Sequence, residues 1–132
     1  MPTSPLIDHV TSTLRAWPGL RLAIVFGSVA AGTESSHSDV DVAVLSDAAL
    51  TLDERLRLVA ALADATGRAV DLVDLARVGE PLLGQVLRGG VRVLGEPALH
   101  AQVLSRHLLD AADFGPLIER LQRERRRAWI GR

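Results

Sequence analysis

Cysteine, lysine and tyrosine are all missing from this chain. Without thiols there can be no disulfide and no thiolate metal site, which suits a reducing compartment. Without lysine, Schiff-base chemistry and the lysine of a phosphate-binding P-loop are excluded, and all 15 basic residues are arginines. No apolar run approaches the roughly 20 residues of a membrane span. The opening "MPTSPLIDHV" lacks the basic-then-apolar layout of a secretory leader, so a cytoplasmic protein with no membrane partner is expected. Charge is nearly balanced at −1, which gives no global pull towards nucleic acid, and none is expected to be bound directly.

What the chain does contain is ordinary for a folded domain: 48% apolar and 23% charged residues over 132 positions. Ser4-Pro5 can cap and start a helix with Leu6, Val10, Leu14 and Trp17 on one stripe, ended by Pro18-Gly19. "LRLAIVF" (20–26) reads as a buried strand, residues 28–32 as a short helix, and "DVDVAVL" (39–45) as a strand with Val40, Val42 and Val44 on one face. "TLDERLRLVAALADATG" (51–67) places Thr51 and Glu54 in capping-box spacing and Gly67 as a stop. Its expected apolar face is Leu52, Leu56, Val59, Ala60 and Ala63. "AVDLVDL" (69–75) and "VRVL" (91–94) are further strands, "EPLLGQVLR" (80–88) is a short helix, and the pattern from Ala98 onward is helical with a break at Gly115-Pro116. The expected class is α/β (α+β): a small mixed sheet of about four strands flanked by helices, with a helical C-terminus.

The stretch "FGSVAAGTESSHSDVDVAVL" (26–45) carries the chemistry. Residues two apart on a strand share a side, so Asp39 and Asp41 project together. Two such carboxylates repel unless a cation or donors stand between them, and a hard divalent ion such as Mg²⁺ fits that need. Upstream, Gly27 would let a phosphate approach the backbone, and Ser28 adds a hydroxyl donor. A third carboxylate would complete a site in which two ions about 4 Å apart stabilise the attacking and leaving oxygens of a phosphoryl centre. Asp71 is the candidate, with Asp74 the alternative if the strand register differs.

Gly27-Ser28, ten residues, Asp39-x-Asp41 and a later strand aspartate resemble the signature of the polymerase-β-type nucleotidyltransferases. The short chain, the "SDVDVAVL" and "VDLVDL" segments and the tail "DFGPLIERLQRERRRAWIG" are similar to the minimal nucleotidyltransferases, or MNT proteins, of that superfamily. The resemblance implies a single domain over 1–132, with a core of about 1–97 and a helical segment of about 98–132. It implies that Asp39 and Asp41 bind two Mg²⁺ ions, that Asp71 helps hold the one activating the nucleophile, and that Gly27 and Ser28 contact the triphosphate of ATP. Many MNT proteins are antitoxins encoded beside HEPN-domain ribonuclease toxins, and the active ones transfer AMP from ATP to a toxin tyrosine. The expected function is therefore protein adenylylation of a HEPN toxin within a hetero-oligomer. The alternatives are neutralisation by stoichiometric binding, or a small-molecule nucleotidyltransferase of the aminoglycoside-modifying type. The family often has arginine where this chain has Ala31. With no tyrosine of its own, the chain cannot adenylylate itself on that residue, so the acceptor belongs to a partner.

The remaining polar residues have plainer readings. Ser35, Ser36, His37 and Ser38 form a polar loop, in which Ser38 could order the entry to the carboxylates or contact nucleotide, and His37 is a candidate for proton transfer. His9, His100 and His107 lack metal-ligand spacing and read as helix-surface or partly buried residues. Arg120, Arg123, Arg125, Arg126 and Arg127 form either a solvated helix end or a dock for an acidic partner surface, with Trp129 and Ile130 as anchors.

Overall fold

The computed structural model describes residues 4–109. Helix α1 (Pro5–Arg15) starts where the Ser4 side chain accepts from the Ile7 N–H at 3.1 Å, with proline at the first helical position. Strand β1 (Leu20–Phe26) runs directly into the short helix α2 (Gly27–Ala31), which ends at Gly32 with φ +73°. Strand β2 (Val40–Ser46) follows a polar loop, and helix α3 (Leu52–Thr66) opens with the full Thr51/Glu54 capping box. Strand β3 (Val70–Asp74), helix α4 (Leu82–Gly89), strand β4 (Val91–Leu94) and helix α5 (97–109) complete the described chain.

The four strands form one sheet in the order β3-β2-β1-β4. Strand β1 pairs antiparallel with both β2 and β4, while β2 and β3 are parallel and joined by α3 as a crossover. The expected mixed sheet with flanking helices is therefore present.

Helices cover both faces. On one, Val40, Val42 and Val44 of β2 meet Val10 and Leu14 of α1 and Leu58 and Leu62 of α3, all fully buried. On the other, Ile24, Ala43, Val73 and Leu75 meet Leu83 and Val86 of α4 and Val103 of α5.

Three sequence expectations need correction. The strand begins at Val40, so Asp39 stands just before it. The short helices lie at Gly27–Ala31 and Leu82–Gly89 instead of 28–32 and 80–88. The core face of α3 is built on Leu58 and Leu62, whereas Leu52 is 73% exposed and Leu56 60% exposed. Helix α3 carries two apolar stripes, and packing against α1 selects the one that the local pattern does not single out. The break at Gly115-Pro116 and the Arg120–Arg127 run with Trp129 and Ile130 lie outside the described residues.

Candidate active site

The site lies where β1 ends and β2 and β3 begin. Antiparallel register sets Phe26, the last residue of β1, opposite Asp41, and parallel register sets Asp71 opposite Asp41 on the other side. Adjacent strands stand about 4.8 Å apart, so Asp41 and Asp71 are immediate neighbours on one face of the sheet. That face is the one carrying Ala43 and Val73, away from the Val40, Val42 and Val44 side.

Gly27 follows Phe26 with φ +72°, a left-handed conformation that glycine adopts without strain. A Cβ built there would lie 2.2 Å from Asp41 Oδ2, so a side chain at this position would force the carboxylate to swing aside. The glycine thus clears the space that Asp41 occupies, a role the sequence alone did not reveal. Ser28, half-buried, is the second residue of α2, and its carbonyl accepts from the Thr33 N–H at 3.0 Å. Ala31, the position where the family often has arginine, ends α2 and is exposed.

The carboxylates are not equivalent. Asp39 and Asp71 are exposed, while Asp41 is half-buried between them. Burial raises the pKa of Asp41 above the usual carboxylate value, and the negative charges of Asp71 and Asp39 raise it further. Among the described residues, none of the ion pairs involves these three aspartates. Nor is any group of three His, Cys, Asp or Glu side chains drawn together tightly enough to hold an ion as it stands. An all-oxygen donor set beside a side-chain-free glycine suits a hard divalent cation, which would draw the acids together.

Asp74 lies apart from Asp41 and Asp71. It lies three residues beyond Asp71 at the far end of β3, 7% exposed, with Oδ1 accepting from the Ala76 N–H at 2.9 Å and Oδ2 3.8 Å from Arg77 Nε. It is a turn residue at the end of a strand.

Ser38 turns its hydroxyl back into the loop, where Oγ accepts from the Ser35 N–H at 2.8 Å. The His37 ring is exposed, and its backbone N–H donates to Ser35 Oγ at 3.3 Å. The other histidines stand away from the acids: His9 is exposed on α1, His107 bonds Glu80 through Nδ1, and the pKa of His100 is lowered by burial and by Arg92. The sequence reading missed Arg68, whose Nη1 donates to the carbonyls of Ser35 at 2.6 Å and Ser38 at 3.2 Å. The only local signal was its place between the helix stop Gly67 and the strand that carries Asp71.

A mixed sheet with Asp41 and Asp71 paired at one end of β2 and β3, beside the Gly27-Ser28 start of α2, is an arrangement suited to holding a phosphate and a hard cation. The family model "Polymerase beta, Nucleotidyltransferase" matches residues 8–97, and the chain belongs to that family. Among individual relatives, the protein adenylyltransferase MntA of Shewanella oneidensis is 44% identical over 80 residues. That match covers 59% of this chain and 56% of the relative's own length. A crystal structure of a toxin–antitoxin with AMP-PNP superposes with a TM-score of 0.72 at 30% identity, over 88% of this chain and 98% of that one. The structure of the tri-AMPylated HEPN toxin of S. oneidensis in complex with its MNT antitoxin gives 0.67 at 27% identity, over 89% and 96%.

Proposed function

We propose that this chain is an antitoxin-type protein adenylyltransferase, transferring AMP from ATP to a tyrosine hydroxyl of a HEPN-domain ribonuclease toxin. The observation that carries this reading is the clustering of Asp39, Asp41 and Asp71 with no basic partner among the described residues. Binding a partner gives no reason to keep three carboxylates together at such electrostatic cost, whereas phosphoryl transfer does. The likeness to MntA and to structures holding AMP-PNP or an AMPylated toxin supports the same choice of substrate and acceptor.

In this reading Gly27 and Ser28 would receive the triphosphate, Asp39 and Asp41 would hold two Mg²⁺ ions, and Asp71 would help to hold the one that activates the nucleophile. The ions would supply the positive charge that offsets negative charge developing on the attacking and leaving oxygens. The tyrosine oxygen bonds to the α-phosphorus, pyrophosphate leaves with the electrons of the broken P–O bond, and the phenolic proton passes to solvent. Ser38 contributes by shaping the loop that delivers Asp39. The acceptor is in the partner, because this chain has no tyrosine. The whole of 1–132 acts as one cytoplasmic domain, with a core of about 1–97.

The test is incubation with ATP, Mg²⁺ and the HEPN-domain protein encoded beside it, followed by mass spectrometry of both chains. AMP on a partner tyrosine, lost with Asp39→Asn/Asp41→Asn, is expected. Neutralisation of ribonuclease activity that survives the double substitution would overturn catalysis in favour of stoichiometric binding. Transfer to an aminoglycoside and not to protein would move the enzyme to another substrate class.

A further inference from the structure

Asp39 precedes the first residue of β2, so the strand ladder does not hold it directly. Its position depends on the loop that ends there. That loop is closed on itself: Ser35 N–H donates to Ser38 Oγ at 2.8 Å, and Ser38 N–H donates to Ser35 O at 3.2 Å. A closed turn has a shape, but it needs an anchor to have a position.

The anchor is Arg68. One guanidinium nitrogen spans both carbonyls of the turn, from a side chain rooted one residue beyond the Gly67 helix cap. The next residue, Ala69, accepts from the Val40 N–H at 2.9 Å, and Asp71 follows two positions later. The segment 68–71 therefore holds the turn on one side of Asp39, receives the backbone bond on its other side, and carries Asp71 itself. From this geometry we infer that Arg68 is a positioning residue, which fixes Asp39 relative to Asp41 and Asp71.

The role is geometric. The carboxylate perturbed at this site, Asp41, is shifted by burial, Asp71 and Asp39, and Arg68 is not among the causes. Both bonds leave one nitrogen, Nη1, so the ammonium of a lysine, on a shorter stem, can reproduce them in part. Loss of Arg68 should leave the sheet intact and let Asp39 wander, weakening the cation site more than the fold.

This inference rests on the metal-dependent reading of the site, so its test separates the two. Direct Mn²⁺ binding, followed by electron paramagnetic resonance, needs neither nucleotide nor partner. Arg68→Ala is expected to weaken Mn²⁺ at least about tenfold and to speed amide exchange of residues 35–40, with circular dichroism unchanged. Arg68→Lys should recover part of both. In the transfer assay, Arg68→Ala should raise the Mg²⁺ concentration for half-maximal rate by a similar factor while leaving KM for the partner unchanged. Arg57→Ala, within α3 before that cap and paired with Asp53, is the control expected to change neither. Unchanged Mn²⁺ affinity and exchange in Arg68→Ala would overturn the positioning role whether or not transfer is detected. Wild-type protein that binds Mn²⁺ yet transfers nothing would overturn the transferase reading alone. A wild type that binds no Mn²⁺ at all would overturn both. If Arg68→Ala proves unfolded, Arg68→Met, which keeps an aliphatic stem but no donor, decides: wild-type values in both measurements would refute the role.

Discussion

The two ends of the β2–β3 pair treat the same residue type in opposite ways. At the far end, Asp47 lies 3.3 Å from Arg21 Nε, and Asp74 is taken up by the Ala76 N–H and by Arg77. At the near end, Asp39, Asp41 and Asp71 face one another, and burial and mutual charge hold the Asp41 pKa up. Among the described residues no arginine pairs with them. The arginine nearest the turn spends its donors on main-chain carbonyls. Carboxylates at one end complete the fold, and those at the other have no basic partner among the described residues.

The sharpest way to break that contrast is to change one aspartate at each end. Asp41→Asn should lower transfer by about 10³-fold or more, comparable to removing a main electrostatic contact to a transition state. Asp74→Ala should leave turnover per folded molecule intact and cost about 1–3 kcal/mol of stability, because it strips the Ala76 N–H of its acceptor. Single-turnover assays together with urea unfolding would measure both. Equal loss of activity from the two changes would erase the distinction.

A milder change tests whether Asp41 needs the space beside it. In Gly27→Ala, the new Cβ would meet Asp41 Oδ2 at 2.2 Å from a backbone with φ +72°. The strained backbone alone costs about 1–3 kcal/mol. The carboxylate must also swing aside, so Mn²⁺ affinity should fall along with stability. The same substitution at Gly67, with φ +68° but open space around its Cβ, should show the backbone cost without the loss of metal.

How legible these ends were beforehand follows from how local their causes are. Strands β1 and β4, the Thr51 capping box and the Gly67 stop depend on neighbours in sequence, and they appear where the pattern placed them. Asp41 was readable because alternation puts Val40, Val42 and Val44 on the opposite side. Placing Asp71 beside Asp41 needed the β2–β3 register, a pairing between distant segments that no local pattern carries. The buried face of α3 was misread for a related reason: Leu52/Leu56 and Leu58/Leu62 are both apolar stripes, and only contact with α1 chooses between them. Arg68 left no usable trace, since its hydrogen bonds reach 30 and 33 residues back.

The smallest expected effect tests the electrostatic cost itself. Asp41 is more weakly acidic in the folded protein than the 3.8 of an ordinary aspartate, from burial first and then from Asp71 and Asp39. Between the unfolded and folded pKa the native state holds more protons than the unfolded chain, so stability falls as pH rises through that window. Above the window the full penalty persists, and below 3.8 it vanishes. Asp41→Asn carries no such charge, so in chelator at neutral pH it should melt slightly above wild type, with the gap closing as pH is lowered towards 4. Added Mg²⁺ should close the same gap from the other side by stabilising the wild type through binding to its native state. A variant that melts below wild type in chelator at neutral pH would mean that the near-end acids do not repel one another appreciably, and the contrast between the two ends would then lose its electrostatic basis.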